Sequence, residues 1–152
     1  MKEKKYGRLA LSVAAALAAG GLSYLLAGRD AMEHYSRLNQ PPLAPPAVVF
    51  PIAWTVLYTL MGVSAWRVWR KDGRVPDIYW IQLALNVIWT PIFFRFGLYW
   101  AAFAVLAVLE AAILRMIGRF RESDRLAGNL QIPYALWVVF AGYLNVMTAI
   151  LN

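Results

Sequence analysis

The sequence contains no cysteine and only one histidine, His34, among its 152 residues. Without cysteine there is no disulfide, no thiol nucleophile and no thiolate metal site, and one histidine argues against a histidine-based metal site. Charged residues are also scarce, at 15%, whereas hydrophobic residues reach 61%. Soluble proteins average about 25% and about 45–50% respectively. A soluble domain of this size could not bury so much apolar surface, so the composition predicts an integral membrane protein.

The constellations of conventional catalysis are missing as well. The sequence offers no Ser-His-Asp candidate, no phosphate-binding loop and no pair of close carboxylates. Asp30, Glu33 and His34 lie together in one polar segment, but a single histidine beside acids is more often solvated surface. We therefore expect no metal site, no required cofactor and no conventional catalytic residue.

Long uncharged apolar runs dominate the chain, and crossing a bilayer takes about 20 such residues. Five spanning helices are predicted within a single domain of residues 1–152, at residues 9–28, 47–66, 78–94, 98–114 and 130–151. The first run follows a basic start and so resembles a signal peptide, but it is long for one. The predicted fold class is therefore all-α, a bundle of five transmembrane helices.

The basic residues alternate between the predicted sides of the membrane. Twelve of the 15 lie before the first span or in the connections after the second and fourth; the other three are Arg29, Arg37 and Arg95. The positive-inside rule then places the N-terminus in the cytoplasm and the C-terminus outside. We expect a multi-pass protein of the bacterial inner membrane. This bias also accounts for the net charge of +7, so no nucleic-acid partner is expected.

A proline-rich segment precedes the second span. Its prolines fix the backbone φ angles and remove amide donors, which predicts a rigid extended strap. The strap is expected to act as a lid beside an aromatic helix face. The predicted lid residues are Tyr35, Pro41, Pro42, Leu43, Pro45 and Pro46.

Three predicted spans carry aromatic and polar residues at helical spacing, so each set shares one face. These sets are Trp54 and Tyr58; Gln82, Asn86, Trp89 and Phe93; and Pro133, Trp137, Ala141, Asn145 and Thr148. Polar residues at membrane depth normally face the bundle interior. Facing one another, the three faces would line a small-molecule cavity.

Two other interpretations apply to residues of this kind. Aromatic residues also form packing contacts and interfacial belts, which we prefer for those near span ends: Trp66, Trp69, Trp80, Tyr99 and Trp100. Glu110 is the one carboxylate inside a predicted span. Such an acid indicates either a functional site or a structural hydrogen bond.

Three blocks of sequence, residues 35–62, 85–94 and 133–145, resemble the TspO/MBR family of tryptophan-rich sensory proteins, which are related to the mitochondrial translocator protein. The resemblance implies a five-helix membrane protein, commonly a homodimer, that binds porphyrins and, in some members, sterols or synthetic aromatic ligands. It also implies that Trp54 and Trp137 match pocket tryptophans and that Asn86 matches a polar pocket residue. Some bacterial members degrade protoporphyrin in light, and that activity is linked to tryptophans at the two matching positions.

This sequence departs from the family pattern in the strap, where Leu43 and Val48 stand at positions that are aromatic in many members. It also ends at Asn152 without the cholesterol-recognition segment of the animal proteins, so cholesterol transport is not expected.

The resulting hypothesis is a membrane sensor or translocator that binds protoporphyrin IX or a related tetrapyrrole. Arg29, Arg37 or His34 would meet the propionates at the cavity mouth. A light-dependent porphyrin-degrading enzyme, with Trp54 and Trp137 as photochemical residues, is one alternative. A transporter of tetrapyrroles or other lipophilic molecules is another.

Overall fold

The computed structural model describes residues 2–152, and within this range the chain forms seven α-helices and no strand. The five long helices are α1 (Lys2–Ala27), α3 (Val49–Asp72), α4 (Asp77–Phe94), α5 (Tyr99–Ser123) and α7 (Ile132–Leu151). Two short helices, α2 (Ala31–Arg37) and α6 (Arg125–Asn129), lie in the connections.

The all-α class and the membrane character are confirmed. Four segments are long and apolar enough to cross a membrane: α1, α3, α5 and residues 125–151, which comprise α6 and α7. Helix α4 is not among them. It has 18 residues and includes Asp77, Gln82 and Asn86, which lower its mean hydropathy. The third predicted span, residues 78–94, and the five-span bundle therefore stay predictions.

Helix α5 continues well past residue 114, where the sequence predicted the span to end. Arg115 and Arg119 are exposed, whereas Met116, Ile117 and Phe120 are buried. The apolar stripe of the helix therefore runs on beyond its first arginine, and the charges lie on the outer face.

Helix α1 packs closely against α3 and α4, α4 packs against α5, and α5 packs against α7. Helices α1 and α3 approach each other closely at Gly62, where a Cβ atom would lie 2.5 Å from the Cα of Val13. Ser12 donates a hydrogen bond from its hydroxyl to the Gly62 carbonyl at 2.7 Å. Small residues permit such close helix packing in membranes.

The contacts between connections define two ends of the molecule. At the basic end, the Arg8 guanidinium lies 4.3 Å from the centre of the Trp69 ring, and Arg67 pairs with the buried Asp124 at 2.9 Å. At the strap end, the Asn39 amide donates to the Asn152 side-chain oxygen at 3.0 Å. The start of α1 thus lies at the same end as the α3–α4 and α5–α6 connections.

The sequence predicted a uniformly extended strap, but the structure shows a turn in it. Its first half makes a turn in which the Ala44 amide donates to the Pro41 carbonyl at 3.2 Å. Pro42 and Leu43 occupy the central positions, and Leu43 has a φ of 67°. Proline followed by a residue of positive φ is typical of a type II turn. Proline rigidity therefore fixes a bend here rather than a straight segment.

Candidate functional site

Aromatic side chains from α3, α4 and α7 meet around Trp54 in the interior of the molecule. The Trp54 ring centre lies 5.6 Å from that of Tyr58, 6.5 Å from Trp89, 6.2 Å from Tyr134 and 6.4 Å from Trp137. We call these five residues the Trp54 cluster. Their separations are within the range of favourable aromatic pairs, so the predicted aromatic faces do come together.

A polar network forms one wall of the Trp54 cluster. The Tyr58 hydroxyl donates to the Asn86 side-chain oxygen at 2.9 Å, and the Asn86 amide donates to the Tyr134 hydroxyl at 2.7 Å. Tyr134 in turn donates to the Gln82 side-chain oxygen at 2.8 Å. All four residues are buried. Since lipid supplies no hydrogen bonds, this network satisfies the polar groups that the helices carry inside the bundle.

A second polar contact fixes the orientation of Trp89. Its indole nitrogen donates to the Asn145 side-chain oxygen at 3.0 Å, and the Asn145 amide donates to the Tyr99 carbonyl at 2.7 Å. On its other side, Trp89 stacks with Phe93 at 5.6 Å between ring centres. Ala141, also predicted for the site, is buried nearby in the core. Trp89 is therefore held rigidly by its neighbours.

The strap end of the site contains two buried donors that have no partner within residues 2–152. These are the indole nitrogen of Trp137 and the hydroxyl of Tyr35. Phe50 lies between their rings, 6.1 Å from Trp137 and 5.7 Å from Tyr35. Buried donors normally have an acceptor, so this end of the site has unused hydrogen-bonding capacity.

The predicted site residues differ in their accessibility. Tyr58, Gln82, Asn86, Trp89, Phe93, Ala141 and Asn145 are all buried. Trp54 and Trp137 are only half-buried, so these two rings form the accessible edge of the cluster. Pro133 is exposed, and its predicted place on the inner face of α7 is wrong, because Tyr134 takes that place one residue later.

The predicted lid residues lie at the strap end as expected, but with unequal burial. Tyr35 and Pro41 are buried, whereas Pro42, Leu43 and Pro46 are exposed and Pro45 is half-buried. The Tyr143 hydroxyl on α7 donates to the Pro42 carbonyl at 2.7 Å. The strap is therefore fastened to the helix that carries Trp137.

The other aromatic and acidic predictions have mixed outcomes. Trp80 and Trp100 are exposed, as belt residues should be, whereas Trp66 is buried and serves as a packing residue. Glu110 is half-buried on α5, and one of its carboxylate oxygens is buried without a partner.

Sequence reasoning missed three residues that build the site. Tyr134 is the centre of the polar network, and the ring of Phe50 lies between those of the two unpartnered donors. Gln131, the residue just before α7, donates to the Ser64 hydroxyl at 2.6 Å. A signal for Tyr134 was present, because it lies three residues before Trp137 and so shares its helix face.

The site is built from rings and neutral amides, without a charged side chain among its residues. Within residues 2–152 no group of three metal-ligating side chains comes together. Such a lining suits a flat, largely apolar molecule that accepts a few hydrogen bonds. Fold and site together define a class of protein. It is an all-helical integral membrane protein whose interior is lined by aromatic rings and neutral amides.

Comparison with known proteins gives the family. The profile of the TspO/MBR family matches residues 11–151, and the chain belongs to this family. It is 39% identical to the tryptophan-rich sensory protein of Cereibacter sphaeroides over 122 residues, which are 79% of this chain and 77% of that protein. The translocator protein of Homo sapiens is 33% identical over 126 residues, 76% of this chain and 73% of that protein. The Archaeoglobus fulgidus tryptophan-rich protein TspO is 30% identical, with 95% of this chain and 97% of that protein covered.

Proposed function

We propose that this protein binds a tetrapyrrole, of which protoporphyrin IX is the representative, at the Trp54 cluster. The observation that carries the proposal is the half-buried pair Trp54 and Trp137, in edge-to-face contact at 6.4 Å beside an unpartnered indole donor. A flat macrocycle offers aromatic faces to these rings and carboxylates to the donor. Family membership supports the same conclusion.

Entry of the ligand requires the two accessible indoles to move. Helices α3 and α7 are not among the pairs whose backbones pack closely, and the space between them is occupied by the rings of Trp54, Tyr134 and Trp137. Rotation of Trp54 and Trp137 toward the strap end would open that space while the backbones stay in place. Tyr134 and Trp89 stay fixed, since both are hydrogen-bonded.

The polar groups of the site then divide into two roles. Gln82 and Asn86 are engaged with Tyr58 and Tyr134, so they hold the wall in shape. The free donors of Trp137 and Tyr35 receive the polar edge of the ligand. Arg29, Arg37 and His34 are exposed at the strap end, where they would attract the propionates without being desolvated, although Arg37 also pairs with Glu33.

A dark titration of the detergent-purified protein with protoporphyrin IX, read by tryptophan fluorescence quenching, tests this proposal. The test variant is Trp54→Phe with Trp137→Phe. The matched control is Trp80→Phe with Trp100→Phe, which also removes two tryptophans but from exposed positions. An aromatic pair contributes about 0.5–1.5 kcal/mol beyond its buried area, and about 1.4 kcal/mol is a tenfold change in affinity. The test variant replaces two indoles by smaller rings without an N–H donor, so we expect its affinity to fall by about tenfold.

The control variant should bind as tightly as the natural protein. Equal affinity of all three proteins, each shown to be folded by circular dichroism, would contradict the site assignment. Absence of saturable quenching in the natural protein would contradict the tetrapyrrole proposal itself.

The three indoles of the cluster give a specific reason to consider light-driven porphyrin degradation as a second candidate. Trp54 contacts both Trp89 and Trp137, so an excited porphyrin in the site would lie beside several one-electron donors, with dissolved dioxygen as the oxidant. Illumination of the complex should then bleach the porphyrin absorbance, and removal of dioxygen should stop the loss. A complex whose absorbance survives illumination in air would exclude this activity.

We also propose that all five long helices cross the bacterial inner membrane, with the basic end in the cytoplasm. The arrangement of the connections supports this topology, since twelve of the 15 basic residues lie at one end of the molecule. Because the chain has no cysteine, a single cysteine introduced at Leu43 or Arg125 reports sidedness directly. An impermeant maleimide added to intact cells with a permeabilised outer membrane should label the first and not the second.

The homodimer implied by the family is a further proposal, which light scattering in detergent would test.

A further inference from the structure

A groove lies at the basic end of the molecule, between the start of α4 and the last turns of α5. We call it the α4–α5 groove. Its volume is about 500 Å³, and it is lined by Arg74, Pro76, Asp77, Ile78, Ile81, Arg115 and Arg119. A smaller cavity of about 180 Å³ shares Arg74, Pro76 and Arg119 and adds Asp72, Glu122 and Ser123. The groove is at the opposite end from the strap and is separate from the Trp54 cluster.

The α4–α5 groove carries a net positive charge, because three arginines and one carboxylate, Asp77, line it. Arg115 and Arg119 are four residues apart on one face of α5, and Arg74 comes from the α3–α4 connection. Within residues 2–152, neither Arg74 nor Arg115 forms an ion pair. Arg119 contacts Glu122 at 3.3 Å, but both side chains are more than half exposed, and such pairs contribute little.

Other arginines at this end already have partners in the protein. Arg67 pairs with Asp124, Arg121 donates to Asn129 at 2.9 Å, and Arg70 lies over the Trp66 ring. The first two of these contacts join α3 or α5 to the α5–α6 region, and the third lies within α3. Arg74 and Arg115 make no such contact within the described part of the chain. They therefore differ from these other arginines, which have partners.

An apolar wall accompanies the charge. Ile78 and Ile81 lie on the first turns of α4, and Ile81 is 51% exposed. Helix α4 runs from this end into the apolar part of the bundle. The exposed side chain of Ile81 therefore lies next to the groove arginines, on the side that faces the lipid. A ligand of the groove would thus meet cationic groups at one end and an apolar surface at the other.

We propose that the α4–α5 groove binds an anionic phospholipid, with Arg74, Arg115 and Arg119 contacting the headgroup phosphate and Ile81 contacting an acyl chain. Arginine is well suited to phosphate because its guanidinium donates two parallel hydrogen bonds. Basic pockets between helices at the cytoplasmic side of membrane proteins are typical sites for anionic lipid headgroups. The apolar wall favours a lipid over free phosphate. The proposal depends on the membrane character of the chain and not on tetrapyrrole binding.

Native mass spectrometry of the detergent-purified full-length protein would count bound lipid as phosphatidylglycerol or phosphatidylcholine is added. The test variant is Arg74→Gln with Arg115→Gln. The matched control is Lys2→Gln with Arg125→Gln, which removes the same charge from the same end but outside the groove. A third variant, Ile81→Gln, tests the apolar wall. All the altered residues are exposed, so the fold, checked by circular dichroism, is expected to persist.

We expect the natural protein to prefer phosphatidylglycerol and the test variant to bind it about tenfold more weakly or worse, given the contribution of each arginine near a membrane surface. The control should retain binding, and Ile81→Gln should weaken it. Inorganic phosphate at the lipid concentration should not displace the lipid. Equal binding of the two lipids, unchanged binding in the test variant, equal loss in the control, or displacement by inorganic phosphate would each overturn the proposal.

Discussion

At the scale of single residues, Tyr134 contacts both the polar network and the aromatic rings of the site. Its hydroxyl accepts from Asn86 and donates to Gln82, while its ring packs against Trp54. Loss of this one oxygen would leave the amide nitrogen of Asn86 and the side-chain oxygen of Gln82, both buried, without a partner. A buried polar group left unpaired costs about 1–3 kcal/mol.

The variant Tyr134→Phe should therefore be destabilised by about that amount. Tyr143→Phe is the control, since it also removes one hydroxyl, which makes a single hydrogen bond at the strap, near the surface. Thermal unfolding in detergent, followed by tryptophan fluorescence, measures both. Equal melting temperatures for the two variants would show that the buried network contributes no more than a surface bond.

Asp124 is the second residue with a clear physical role. Burial disfavours its charged form, but the amide of Ala127 and the positive charges of Arg67 and Lys71 outweigh burial, so the pKa of Asp124 lies below its usual value. Its carboxylate also accepts from the Leu126 amide at 3.0 Å, capping α6. A group with a lowered pKa stabilises the fold fully above its unfolded pKa, near about 3.9, and that stability is lost as pH falls through the folded value.

We expect Asp124→Asn to lower stability at neutral pH by about 1–3 kcal/mol, since it removes a charged hydrogen-bond acceptor. The variant should also lose less stability than the natural protein when pH falls from 6 to about 3. Melting curves across this range check both points. The control Glu122→Gln removes a carboxylate at an exposed position two residues earlier, and its stability at neutral pH should stay within about 0.5 kcal/mol of that of the natural protein. An unchanged profile in Asp124→Asn would remove Asp124 from this account.

At the scale of helices, the packing of α1 on α3 depends on Gly62. A Cβ atom there would meet the backbone of Val13 at 2.5 Å and 2.8 Å, and backbone cannot rotate away as a side chain can. Gly62→Ala should therefore push the helices apart and cost about 1–3 kcal/mol. Gly21→Ala, where nothing lies within 4 Å of the added atom, should be neutral or slightly stabilising through helix propensity. Chemical or thermal unfolding of both variants compares them, and a neutral Gly62→Ala would contradict the close contact.

The same scale shows what sequence can and cannot predict. The inner face of α4 was predictable because Gln82, Asn86 and Trp89 repeat at helical spacing and lipid forces polar groups inward. Periodicity places Tyr134 on the same helix face as Trp137, but its role in the polar network depends on its contacts with Asn86 and Gln82 of α4, which periodicity does not reveal. The turn at Leu43 was equally hidden, since a leucine with positive φ has no sequence signal.

At the scale of the whole molecule, the two ends have different chemistry. The strap end carries unpartnered neutral donors beside aromatic rings, whereas the basic end carries the α4–α5 groove with unpaired arginines. One end therefore suits a flat apolar ligand with polar edges, and the other suits a lipid phosphate. The interior between them is closed by hydrogen-bonded amides and core packing, so the two proposed sites are structurally independent.

The claim that the Trp54 cluster receives a tetrapyrrole is tested most directly through the indole N–H signals of the protein. The chain has seven tryptophans, so a ¹⁵N-labelled sample should show seven such resonances, each assigned by the loss of its peak in a Trp→Phe variant. Addition of protoporphyrin IX should shift Trp54, Trp89 and Trp137 strongly, through the ring current of the macrocycle. It should leave the exposed Trp80 and Trp100 unchanged. Shifts confined to Trp80 and Trp100, or no shift at a saturating ligand concentration, would contradict the account.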